Sequence, residues 1–298
     1  MTTATSPKPL RGIRVVSLAL NLPGPACLMQ LRALGATCVK IEPPSGDPMA
    51  YYKPKAYAQL HQGIRLHSID LKTDLGQAAL AKHLAKADVL LSSFRPAAMR
   101  KLGLGWRSLH QRFPKLIHID VVGAPGELAK LPGHDLTYMA AQDLVSGLNL
   151  PPSLFADMGG ALMACQATMA ALLTRARDGK ATRSEVALSH AAQWLGLPRE
   201  WGLTTPDGAV GGGHAGYNVY ACADGRVAVA ALEPHFAAAL AQAAALKPAK
   251  KSGVAPAAVD WFAASTKTQL TTFFKKHTKA QLNKLAVAND LPLHTMGR

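Results

Sequence analysis

Short runs of β-branched and aliphatic residues alternate with stretches of helical spacing through the first 120 residues. Residues 13–19 (Ile-Arg-Val-Val-Ser-Leu-Ala) predict a strand, and residues 21–25 (Asn-Leu-Pro-Gly-Pro) predict a turn whose Pro25 suits a helix start. Residues 26–34 have helical spacing and stop at Gly35, a residue that can take the left-handed conformation closing a helix. A second strand is predicted over 37–41, broken by Pro43-Pro44, then a helix over 77–87 and strands over 88–92 and 116–122. Strands separated by helices of this length form crossover units, so the expected class is α/β with a mostly parallel sheet. Ligands of such sheets sit beyond the carboxyl ends of the strands.

After Gly133 the pattern changes. Residues 135–147 predict a helix, and 161–177 a long apolar one ended by Asp178-Gly179. Residues 184–194 continue as strand and then helix. Residues 217–222 and 227–231 predict a hairpin around the Asp-Gly turn of 223–226. Residues 236–288 read as mostly helical, with an Ala/Lys/Pro linker near 247–256.

Composition narrows the picture. The chain has 298 residues, enough for about two domains at roughly 150 each. With 49% apolar and 17% charged residues it is neither disordered nor fibrous. The net charge of +15 favours an anionic partner without naming it. No apolar run reaches the ~20 residues of a membrane span, and the N-terminus lacks a signal-peptide core. The four cysteines lie far apart, without metal-ligand spacing, so we expect unpaired thiols, no zinc and a cytoplasmic setting. The Gly-rich fingerprints of nicotinamide enzymes and P-loop NTPases are missing, as is the nucleophile elbow of hydrolases. The basic tail lacks interleaved aromatics, which argues against nucleic acid as partner.

Three places could carry chemistry. In Phe155-Ala-Asp-Met-Gly-Gly160, Asp157 stands just before the long predicted helix, where the dipole favours its ionised form. Gly159 and Gly160 there would admit a ligand to the backbone. The alternative makes Asp157 a helix N-cap and the glycines a packing requirement. His134, in Gly133-His-Asp135, could act as a base at a helix mouth, or merely serve capping. Glu233, in Leu232-Glu-Pro-His-Phe236, could orient an imidazole or cap the next helix. Among the basic residues, Lys40 and Arg95 fall near the carboxyl edges of predicted strands.

Taken in order, these segments resemble the family III CoA-transferases (the CaiB/BaiF family), and within it the α-methylacyl-CoA racemase branch. The resemblance rests on Pro23-Gly-Pro25, Leu34-Gly-Ala-Thr-Cys-Val-Lys-Ile-Glu-Pro43, Asp70-Leu-Lys72, Phe94-Arg-Pro96, Pro132-Gly-His-Asp135, Phe155-Ala-Asp-Met-Gly-Gly160 and Leu232-Glu-Pro-His-Phe236, and spans residues 10 to 293. It implies an interlocked homodimer. Each chain would have a Rossmann-like, parallel-sheet, CoA-binding large domain over 1–180, followed by a linker and a smaller α+β domain over 181–298. It implies acyl-CoA as substrate and no separate cofactor or metal. His134 and Asp157 would face the α-carbon of a 2-methylacyl-CoA from opposite sides, with Glu233 beside the histidine, so that the α-proton exchanges through an enolate. Lys40, Arg65, Lys72 and Arg95 would meet the CoA phosphates, with Gly159 and Gly160 near the ligand. In transferases of the family, the residue matching Asp157 forms an acyl anhydride and CoA moves between carboxylic acids. A CoA-binding homologue impaired in catalysis is the further alternative. The chain departs from the family pattern at 122–126, Ala97, 180–182 and 215–217, and a return segment after Asp290-Leu-Pro-Leu293 is expected to be missing.

Overall fold

A computed structural model describes residues 7–247 and 259–297. The predicted linker near 247–256 therefore lies almost wholly outside the described residues. The chain divides into two units, residues 1–196 and 197–298.

The first unit is built on six parallel strands: β1 (Arg14–Ser17), β2 (Thr37–Glu42), β3 (Arg65–Ser68), β4 (Val89–Ser92), β5 (Ile117–Val122) and β6 (Arg183–Ala187). Their order is β3-β2-β1-β4-β5-β6, the doubly wound arrangement expected from the alternation of strand and helix. The chain winds outward from β1 to β3 and then returns to place β4 on the other side of β1. That reversal opens a crevice at the carboxyl ends of β1 and β4. Both faces of the sheet are covered, so alternate residues of one strand enter different cores. Val15, Leu91, Ile117, Ile119 and Val121 pack with α1 (Pro23–Ala33) and α8 (Phe155–Asp178). Val16, Leu90 and Ile41 pack with α4 (Asp74–Leu84), α5 (Pro96–Lys101) and α6 (Trp106–Arg112). The short helices α2 (Pro48–Tyr52) and α3 (Pro54–Leu60) lead into β3.

The helices follow their sequences with instructive shifts. Helix α1 begins at Pro23, ahead of the expected residue 26, with Gly24 pressed onto Ala19: a Cβ there would come within 2.1 Å of the alanine Cβ. It ends at Ala33, and Gly35, just past the Leu34 cap, turns the chain with φ +105°. Helix α7 (Asp135–Ala140) stops well short of residue 147, because Asp143 and Gly147 both take positive φ. Helix α8 starts at Phe155, six residues before the expected 161, and runs to Asp178, where Gly179 closes it in the left-handed conformation. By length and composition α8 could cross a membrane, but Gly160, Ala161, Ala164, Cys165 and Ala171 are buried in the first unit's core. Its last turn is tied to β4 by Arg175, which pairs with Asp88 at 2.7 Å.

The expected boundary at residue 180 is corrected to 196. Residues 183–187 supply the sixth strand of the large sheet, and the helix that follows, α9 (Leu188–Glu200), packs on α8 through Leu188 and Ala191.

The second unit carries an antiparallel sheet of β7 (Tyr217–Cys222), β8 (Gly225–Ala230) and β9 (Leu293–Met296), in that order. The hairpin is the predicted one, tightened to the two-residue turn Ala223-Asp224. Its core joins Tyr220, Val227 and Val229 with Leu240 of α10 (Pro234–Ala243), Leu270 and Phe274 of α11 (Ala264–Lys275) and Leu282 of α12 (Lys279–Asn289). Tyr220 stacks on Phe274 with ring centres 5.0 Å apart, while its hydroxyl donates to the Ala215 carbonyl at 2.6 Å.

Candidate active site

The crevice at the switch point is a cleft of about 660 Å³. Leu20 and Asn21 enter it after β1, Ser93 and Arg95 after β4, and Val122 and Gly123 from β5. Its far wall is made by Pro132, Gly133, His134, Asp135 and Tyr138 around the start of α7, together with Leu154 and Asp157 from the start of α8. The structure thus brings His134, Asp157 and Arg95 to one cavity.

The turn at His134 is held locally. Its N–H donates to Thr137 Oγ1 at 3.1 Å and its carbonyl accepts from the same hydroxyl at 2.8 Å, and its imidazole is exposed. Asp135 is buried, and its Oδ1 accepts the backbone N–H of Asp157 at 3.0 Å. One of the open amides at the start of α8 is therefore satisfied by a carboxylate from another helix. Leu154 holds the N-cap position and makes no side-chain cap, so Asp157 sits in the first helical turn and is not the cap considered above.

The electrostatic outcome reverses the expectation for Asp157. The helix terminus favours a carboxylate there, yet burial, together with the charge of Asp135, pushes its carboxyl up to about 6, against the opposing pull of His134. Desolvation and a like charge outweigh the dipole. Near neutral pH this carboxyl can therefore accept a proton and release it, or attack as a nucleophile. Two tyrosines missed in the sequence border it. Tyr138 is pushed up by burial and by Asp157, although Arg95 opposes the shift; Tyr52 is pushed up by burial, Asp47 and Asp157. The signal for Tyr138 was present at a distance: Cβ atoms on Gly123 and Gly133 would come within 2.1 and 2.4 Å of its hydroxyl.

The other expected residues fall elsewhere. Gly159 and Gly160 lie inside α8, where a Cβ on Gly160 would come within 2.3 Å of Leu188 Cδ2 and one on Gly159 within 3.2 Å of Leu195 Cδ1. They are packing glycines against α9, so the expectation of a ligand at their backbone is corrected. Lys40 is also corrected: its side chain is fully buried, with Nζ 2.5 Å from Asp47 Oδ2, 3.0 Å from Glu42 Oε1 and 2.9 Å from His61 Nε2. Every direction open to a phosphate is filled by its own chain. Glu42, Asp47 and His61 have the spacing of a metal site, but the ammonium of Lys40 stands among them. Arg65 opens β3 at the amino end of the sheet. There it borders a separate groove of about 290 Å³ with Arg14, Lys82, His83 and Lys86, away from Asp157. Lys72 is exposed in the turn after β3, on the carboxyl side of the sheet, without lining the cleft. Glu233 is exposed at the N-cap position of α10 in the second unit and makes no side-chain cap bond. The four cysteines are free and buried; burial pushes the thiols of Cys27, Cys38 and Cys165 up, which removes them as nucleophiles.

The chain is also similar to known proteins. The chain is 33% identical to α-methylacyl-CoA racemase of Mus musculus over 290 residues, covering 91% of this chain and 73% of the mouse protein. It is 32% identical over 208 residues to cinnamoyl-CoA:phenyllactate CoA-transferase of Clostridium sporogenes, covering 62% of this chain and half (50%) of that protein. Among solved structures, Rv3272 of Mycobacterium tuberculosis superposes with a TM-score of 0.83 at 26% identity, over 96% of this chain and 84% of that one. The family model for CoA-transferase family III matches residues 10–297, and with these relatives it settles the assignment: the chain belongs to CoA-transferase family III, whose members are enzymes acting on acyl-CoA.

Proposed function

We propose that this chain exchanges the α-proton of a 2-methylacyl-CoA thioester. The observation that carries the reading is the meeting of Asp157, with a carboxyl raised to about 6, and His134 in one cleft. One group removes the α-proton, and the C–H electron pair moves into the thioester carbonyl as an enolate. The other group then returns a proton to the opposite face of the carbon, and the roles swap with direction. Arg95 at the cleft's rim and exposed Lys72 would meet the CoA phosphates. Similarity to the mouse racemase over most of the chain supports this reading above the alternatives. The proposal includes a homodimer, which light scattering would register as twice the 31.4 kDa chain.

The second reading, CoA transfer through an Asp157 anhydride, draws on the same carboxyl and on the similarity to the Clostridium sporogenes transferase. Deuterium wash-in from solvent at the α-carbon of a 2-methylacyl-CoA separates the two. Wash-in that requires both Asp157 and His134 supports exchange. Hydroxylamine-sensitive acyl transfer that requires Asp157 and tolerates His134→Ala replaces the proposal with the transferase reading. CoA binding with neither reaction leaves only a binding protein.

A further inference from the structure

Helices α5 and α6 cover a second pocket, of about 410 Å³, against strands β5 and β6. It uses none of the groups assigned to the cleft. His118 lies on its wall, 2% exposed, and its Nδ1 has no hydrogen-bond partner among the described residues. The other ring nitrogen, Nε2, is 2.9 Å from Asp120 Oδ1. Asp120 is spoken for on both sides, since its Oδ2 accepts from Arg183 Nε at 2.7 Å. Burial would raise the Asp120 carboxyl, but His118 and Arg183 together hold it below the usual carboxylate range. The negative charge of the pocket is therefore already neutralised within its own wall.

Two further guanidinium groups line the same space. Arg100 and Arg107 are exposed, and neither is ion-paired among the described residues. The indole of Trp106, stacked on His110 with ring centres 4.6 Å apart, supplies a flat apolar wall. A pocket of this volume with one aromatic wall, two exposed guanidinium groups outside any close ion pair (Arg100 acts on Glu127 only at longer range) and a buried unpaired imidazole nitrogen has the composition of a small-molecule site. Guanidinium forks match carboxylate and phosphate oxygens in pairs. A buried ring nitrogen without a partner is a group that a ligand atom would satisfy.

We propose that this pocket binds a small organic anion, a carboxylate or phosphate monoester carried on a flat apolar body. The anionic head would lie at Arg100 and Arg107, and the body would lie along Trp106 with a polar atom at His118 Nδ1. The site stands apart from the acyl-CoA cleft, so it would hold its ligand with that cleft filled or empty.

Phenylacetate and phenyl phosphate are the probes, titrated calorimetrically into the full chain with and without saturating CoA. The expected result is stoichiometric binding of at least one probe, undiminished by CoA, with movement of the His118 ring-nitrogen resonances. Tighter binding of phenylacetate identifies a carboxylate site, and tighter binding of phenyl phosphate a phosphate site. The paired substitution Arg100→Gln and Arg107→Gln replaces only exposed side chains, so the fold should survive it, and affinity should fall at least about tenfold. The proposal is overturned if neither probe binds at millimolar concentration, if CoA displaces the probe, or if the double variant binds as tightly as the parent.

Discussion

The carboxylate of Asp135 accepts the backbone N–H of Asp157 at 3.0 Å, joining the first turn of α7 to the first turn of α8. The same contact sets the chemistry, because the charge of Asp135 is one of the causes raising the Asp157 carboxyl to about 6. Asp135→Asn keeps an oxygen acceptor for the amide and removes the charge. The acid limb of the pH profile for α-proton exchange should then move to lower pH while the fold persists. A limb that stays in place would mean burial alone governs Asp157.

Asp157 also links stability to pH. Its folded-state carboxyl is pushed up to about 6, above the ordinary aspartate value of 3.8, so the folded chain holds this proton more tightly than the unfolded one. The stabilisation is complete below about pH 4 and is lost as pH rises through about 6. Asp157→Asn does not titrate. Relative to its effect at pH 4, it should gain about 2 kcal/mol over the parent at pH 8, less than the full shift implies because solvent still reaches the group. Exchange activity should vanish at both. Urea unfolding at the two pH values checks the sign: an equal effect at each would remove the raised carboxyl from the account.

The large sheet was legible because strands buried on both faces are rich in aliphatic residues, as in Val89-Leu90-Leu91 of β4 and the Ile117, Ile119, Val121 and Val122 positions of β5. The edge strand Arg65–Ser68 is exposed at every position and carries no such run, so it escaped notice. The site was half legible. His134 and Asp157 could be singled out by their positions before apolar helices. The true start of α8 could not, because its amide is capped by Asp135, 22 residues earlier in the chain, and its glycines are accounted for only by Leu188 and Leu195 of α9. Charge misled in the same way. Lys40 looks like any strand-end lysine until Asp47 and His61 fold over it.

Gly160 tests the packing account of the Gly-Gly pair. An added Cβ would meet Leu188 Cδ2 at 2.3 Å, in a stretch where both elements are buried, whereas at Gly159 the nearest atom is 3.2 Å away. Gly160→Ala should cost about 1–3 kcal/mol through overpacking. Gly159→Ala should cost less, since the helical preference of alanine over glycine, about 1 kcal/mol, offsets a milder squeeze. Thermal unfolding of the two variants decides the order, and equal losses would contradict the contact geometry.

Lys40 is the position where removing one charge should do most harm. Its ammonium is buried among Asp47, Glu42 and His61, and Asp47 in turn accepts the N–H groups of Met49 and of Asn21, which lines the cleft. Lys40→Ala leaves two carboxylates facing each other without a counter-charge, a loss of about 3–5 kcal/mol. It also empties the centre of a cluster whose ligand atoms lie within 4.8 Å of one another. A divalent cation then fits where the ammonium stood, through two carboxylates and an imidazole. Zinc should therefore raise the melting temperature of Lys40→Ala and leave the parent unchanged. A parent stabilised equally by zinc would show that the ammonium does not fill the site, and a variant as stable as the parent would show that the buried charges are not coupled through Lys40.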